Sequence, residues 1–136
     1  ISQLNWPLFL FSITLTAIAC SALGLITAVV SKSIDNFAAI MNFVIFPVFF
    51  LSGALYPVQN LPTVLHWVAT ANPFTYGVDL IKHSLNIEYV SADFPLYVDV
   101  LMLSTFSILA IAFASWKFSQ ETTLSTLINK LTGGKR

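Results

Sequence analysis

Few side chains in this sequence could do chemistry, and most of them lie between residues 52 and 99. Ser52-Gly53 sits at the end of an apolar run, and His66 and His83 follow. A serine beside a glycine in an apolar segment, with histidines downstream, raises the possibility of an intramembrane serine protease. The nucleophile motif of such enzymes is Gly-x-Ser-Gly, and Phe50 stands in the place of its first glycine. Both histidines also fall outside any later apolar run. Neither has a cysteine or carboxylate cluster at metal-ligand spacing, so no metal site is expected. Asp79 precedes Lys82 by three residues and His83 by four, within reach of both on one helix. An anchoring role for Asp79 is the expectation. No catalytic residue is expected.

Composition fixes the setting of these residues. Hydrophobic residues make up 57% of the 136 residues and charged ones 9%, against about 25% charged in soluble domains. Such a chain lacks the polar skin that a soluble core needs, so the apolar surplus must face lipid. The formal net charge is zero and no basic cluster occurs, which excludes nucleic acid as an expected partner. The single cysteine, Cys20, lies inside an apolar run and reads as a small packing residue.

Three segments have the length and character of membrane spans, at about 6–30, 37–56 and 97–117. Extended strands would leave amides unpaired in lipid, so the spans are helices and the fold class is all-α. The six-residue link 31–36 makes the first two spans an antiparallel hairpin. Cys20, Gly24 and Ala28 form a small-residue ridge for close approach. Lys32, Lys117, Lys130, Lys135 and Arg136 lie on one side of this arrangement, and only Lys82 on the other. That bias puts the tail 118–136 in the cytoplasm. The chain begins with Ile1 and turns apolar almost at once, so it reads as the C-terminal part of a longer membrane protein.

Between the second and third spans the pattern breaks. Gly53 and Pro57 weaken the end of the second helix. Asn60 reads as an N-cap for a short helix over 61–71, with Pro62 in its first turn. Asn72-Pro73 ends that helix and caps another over 73–86. In this second helix Phe74, Val78, Ile81 and Leu85 share one face, and Thr75, Asp79, Lys82 and Asn86 the other. Each is roughly 15–20 Å long, too short to cross a core of about 30 Å. The pair reads as a re-entrant hairpin dipping into the outer leaflet, or as two helices lying flat on it. The first of these gives a polytopic membrane helix bundle of three transmembrane helices plus an outer re-entrant pair.

The ordered set "FLSGALYPVQNLP" and "ANPFTYGVDLIK" resembles the C-terminal signature of type 2 ATP-binding-cassette (ABC-2) exporter permeases. The matching positions are Pro47, Leu51, Ser52, Gly53, Tyr56-Pro57, Leu61-Pro62, Asn72-Pro73, Tyr76 and Asp79; Lys82 stands where the family commonly has Arg. The resemblance implies that 1–136 is the C-terminal part of one permease domain, its spans matching the family's fourth to sixth. It implies a bacterial inner-membrane location and a second permease copy, identical or a close paralogue. It also implies partner ATPase subunits that hold ATP and Mg, the chain itself binding no cofactor. The implied function is export of an amphiphilic, lipid-, glycan- or drug-like substrate by alternating access, the chain being a permease and not an enzyme. No G-x-x-x-x-G-K-[ST] loop is present to cradle phosphates. The tail "TGGKR" reads as a loose basic end near anionic lipid.

Asn42, Phe46 and Phe49 share one face of the second span and are the candidate translocation-path residues, with Pro47 as a candidate hinge. Helix packing or lipid contact is the other reading of that face. The re-entrant motif comprises Gly53, Tyr56, Pro57, Pro62, Asn72, Pro73, Tyr76 and Asp79. The competing function is a passive channel or structural membrane subunit without ATP coupling.

Overall fold

The structure, a computed structural model, describes residues 4–85 and 90–133. It is all-helical: α1 (Trp6–Val30), α2 (Ile34–Phe50), a 3-10 turn (Val58–Asn60), α3 (Thr63–Ala71), α4 (Pro73–Ser84) and α5 (Leu96–Thr132). Among the described residues the only β pairing is an isolated bridge between Leu4 and Leu85.

Local chemistry explains most helix ends. Asn5 caps α1, its side chain accepting from Leu8 N–H, with Pro7 in the first turn. Ser33 caps α2 by accepting from Asn36 N–H at 3.2 Å, so this helix starts ahead of the expected Phe37. It also stops early, at Phe50 rather than Tyr56. Pro47 lies in its last turn, and Gly53 then turns the chain at φ +79°, a conformation that needs glycine. Asn60 does not cap α3. It closes the 3-10 turn after Pro57, and α3 begins at Thr63 behind Pro62. The helix expected over 73–86 forms over 73–84, and Asn86 lies outside the described residues.

α1 and α5 are long and apolar enough to cross a membrane; α2 is apolar but has 17 residues. α5 continues past Trp116 to Thr132 as one helix of 37 residues. At 1.5 Å per residue it is about 55 Å long, well beyond a bilayer core. The segment 118–136, expected as a cytoplasmic tail, is therefore helical to Thr132.

α1, α4 and α5 pack on one another, α1 most of all. α4 lies antiparallel to α1, as three contacts along its length show. Asn5 N–H donates to Ser84 O at 3.0 Å, Ser12 Oγ donates to Leu80 O at 3.1 Å, and Gly77 meets Thr16. A Cβ on Gly77 would come 3.0 Å from two Thr16 atoms, so its absence sets the helix separation. α5 packs against both, through buried Leu103, Ser107, Ala110 and Ala114. The core cluster is Ala19, Tyr76, Leu80 and Leu103, edged by Leu15, Phe94 and Phe106.

The expected α1–α2 hairpin packing is a point of difference. α1 packs mainly on α5 and α4 and only slightly on α2. A Cβ on Gly24 would meet nothing within 4 Å among the described residues. Instead Cys20 and Gly24 line a cavity of about 350 Å³ between α1, α2 and α4, opposite Ile45 and Phe49. The short link brings α1 and α2 together at one end only, and α4 takes the ridge's neighbouring surface.

Candidate functional site

Two polar constellations lie on α4, one at each end. The first joins the α3–α4 break to the end of α2. Asn72 Oδ1 accepts from Phe74 N–H at 3.0 Å, the cap that the Asn-Pro pair predicts. Its Nδ2 donates to Val48 O at 2.8 Å. That carbonyl belongs to the last turn of α2 and has no helical partner. Thr75 Oγ1 donates to Ala69 O at 2.6 Å and lies 3.3 Å from Leu51 O. Tyr76 Oη donates to Thr70 O at 2.6 Å. Three side chains at the start of α4 thus bond carbonyls at two other helix ends, Ala69 O also accepting from Asn72 N–H.

The second constellation holds the far end of α4. Asp79 is 1% exposed, and its two oxygens accept from Asp93 N–H and Phe94 N–H, each at 2.7 Å. Lys82 Nζ bonds Asp93 Oδ2 at 2.9 Å and stands 3.8 Å from Asp79. His83 Nε2 lies 2.8 Å from Phe94 O and 3.3 Å from Asp99 Oδ2. Together these contacts fasten the approach to α5 onto α4. Gly53 closes the group from the α2 side, its missing Cβ lying 3.7 Å from Lys82 Nζ.

The structure therefore gathers Gly53, Asn72, Tyr76 and Asp79 around α4, with Pro73 as its first residue. Tyr56, Pro57 and Pro62 are exposed on the α2–α3 connection. Asn42, Phe46 and Phe49 stand together on an exposed face of α2, and Phe49 also lines the 350 Å³ cavity. Ser52 is buried and donates to Phe49 O at 2.7 Å, while His66 Nδ1 turns to Val58 O, so no serine–histidine pair forms here. Sequence spacing points to His83 as a partner of Asp79, but not to Thr75, Asp93 or Asp99 as site residues. Asp99 carried one signal, an acid at the edge of an apolar span.

The fold and these two clamps define a membrane-type helical bundle with a broken, polar-stitched segment between apolar helices. The model of the ABC-2 type transporter family matches residues 2–86, more than half the chain, and the chain belongs to that family. Nodulation protein J of Rhizobium leguminosarum bv. trifolii is 39% identical over 70 residues, 52% of this chain and 27% of the relative. Nodulation protein J of Rhizobium leguminosarum bv. viciae is 32% identical over 84 residues, 60% of this chain and 32% of the relative. The inner membrane transport permease YadH of Escherichia coli (strain K12) is 26% identical over 108 residues, 79% of this chain and 38% of the relative. The chain thus spans about a quarter to two fifths of the length of these relatives. No solved structure matches it significantly.

Proposed function

We propose that this chain is the C-terminal part of the membrane permease of an ATP-driven exporter in the bacterial inner membrane. Family membership and the similarity to an inner membrane transport permease support the class. The observation that carries the reading is the α3–α4 hairpin. α4 returns antiparallel to α1, its end beside Asn5 and its start beside Val48 of α2. The helix pair enters beside Gly53, against Lys82 near the end of α4, and leaves beside Asn5, which fits a re-entrant segment better than two helices lying flat. Its buried polar stitching supplies the cover that broken backbone needs at membrane depth. With α1, α2 and α5 as spans, this gives three crossings and an outer hairpin.

On this reading α2 faces the substrate path. It buries no residue within the chain, leaving Asn42, Phe46 and Phe49 for the path or a second permease copy. The apolar face favours an amphiphilic cargo. The C-terminus is cytoplasmic, and separate ATPase subunits bind ATP and Mg and drive alternating access. The test is co-purification of the full-length permease with the ATPase encoded beside it, followed by assay of ATP hydrolysis with candidate amphiphiles. A stable complex whose hydrolysis rises with one cargo is the expected result. A permease that associates with no ATPase and passes solute without ATP would instead be a channel.

A further inference from the structure

Asp99 is the least compensated buried group among the described residues. It is 0% exposed, and neither carboxylate oxygen has a hydrogen-bond partner among the described residues. An ionised carboxylate in that state is strongly unfavourable unless a positive charge reaches it. The nearest basic group is the His83 imidazole, 3.3 Å from Oδ2 and already within bonding distance of Phe94 O. The one lysine at this end of α4, Lys82, is bonded to Asp93 and leans on Asp79.

We propose that Asp79, His83 and Asp99 form a binding site for a divalent transition-metal ion, zinc being the best fit. One donor atom from each lies within 4.8 Å of the others, two from α4 and one from α5. Two donors on a tetrahedral ion at about 2.0–2.1 Å sit about 3.3–3.4 Å apart. His83 Nε2 and Asp99 Oδ2 already stand at that spacing, 3.3 Å, and Asp79, with an oxygen within 4.8 Å of both, closes in to complete the set. Phe94 O, 2.8 Å from Nε2, is available as a fourth oxygen donor once the imidazole gives up its bond to that carbonyl. One imidazole nitrogen among carboxylate oxygens selects zinc-like ions over magnesium or calcium. Asp79 can serve while keeping its two N–H bonds, because each carboxylate oxygen has a second lone pair. The ion would staple the returning leg of the hairpin to the first turn of α5.

The test uses the full-length permease in lipid nanodiscs, stripped with chelator and reloaded with zinc alone. Elemental analysis should give one zinc per permease chain, and zinc should raise the thermal midpoint. Asp99→Asn, which removes a buried charge at constant shape, should fold and bind zinc at least tenfold more weakly. His83→Gln should do the same, and reads the site if Asp99→Asn misfolds. His66→Gln, at a histidine committed to Val58 O, should bind as the parent does. The proposal is overturned if no stoichiometric zinc is retained, which leaves a proton on Asp99 as the compensation. It is equally overturned if both site variants bind normally, or if His66→Gln loses the metal.

Discussion

α4 and α2 are both short apolar-faced helices beside a proline, yet they are built on opposite plans. α4 has 12 residues and buries six of them, including Thr75, Tyr76 and Asp79. α2 has 17 residues and buries none within the chain. In a soluble protein the polar face of an amphipathic helix turns outward. Here the polar face of α4 turns inward onto protein backbone, and on the proposed re-entrant placement lipid would offer it no partners. Its side chains meet the carbonyls and N–H groups that the chain's own breaks expose. α2 offers almost nothing but hydrocarbon and aromatic surface. The difference separates two roles: α4 is a fixed post to which loops are tied, and α2 is a free wall awaiting a neighbour.

If that contrast is right, substitutions on the post act on stability. Asp79→Ala should have the largest effect. It orphans two buried N–H groups and strips Lys82 of a neighbour, a loss of about 3–5 kcal/mol. The full-length permease should then accumulate poorly and unfold early in detergent; Asp79→Asn, retaining one acceptor oxygen, should fall between. Asn72→Ala comes next, at about 2–3 kcal/mol, from the lost cap and the unpaired Val48 carbonyl. Asn72→Asp sharpens the point. It keeps an acceptor for Phe74 N–H but no donor for Val48, so a midpoint as low as that of Asn72→Ala would assign the effect to the α2 contact. Gly53→Ala should cost about 1–2 kcal/mol, since φ +79° is strained for any residue with a Cβ. The new methyl would also press on Val58 at 3.0 Å.

The sequence carried the post's backbone plan but not its cross-connections. Asn72-Pro73 announced both a stop and a cap, because each is a local property of two adjacent residues. The helical faces of α4 were legible from spacing. Which face is buried was not, since inside and outside exchange when the solvent is lipid. The second bond of Asn72, to a carbonyl 24 residues away, has no local signature. Neither does the meeting of His83 with Asp99, which depends on how the segment before Pro95 returns. α2 was placed too late and ended too late for a related reason. Ser33 and Asn36 are a cap pair hidden among charged-loop residues, and Gly53 acts only through its φ. The length of α5 was missed because polar residues after Trp116 read as tail, although Ser, Thr, Gln and Asn continue a helix once one is under way.

The free wall yields the smallest stability effects and the sharpest test of the contrast. Phe46 is 59% exposed and Asn42 is exposed beside it. Phe46→Ala and Asn42→Leu remove no contact that holds this chain together, so each should shift folding by less than about 0.5 kcal/mol. On the proposed function, export by the assembled transporter should nonetheless fall, because the altered face is the one left for cargo or a second copy. The pair of readouts matters more than either alone. Unchanged stability with reduced export keeps α2 as the wall. Loss of stability on the scale of Asn72→Ala would mean that α2 is buried in the assembled protein as firmly as α4. Unchanged stability with unchanged export would turn that face to lipid and move the path to the cavity side, where Ile45 and Phe49 face Cys20 and Gly24.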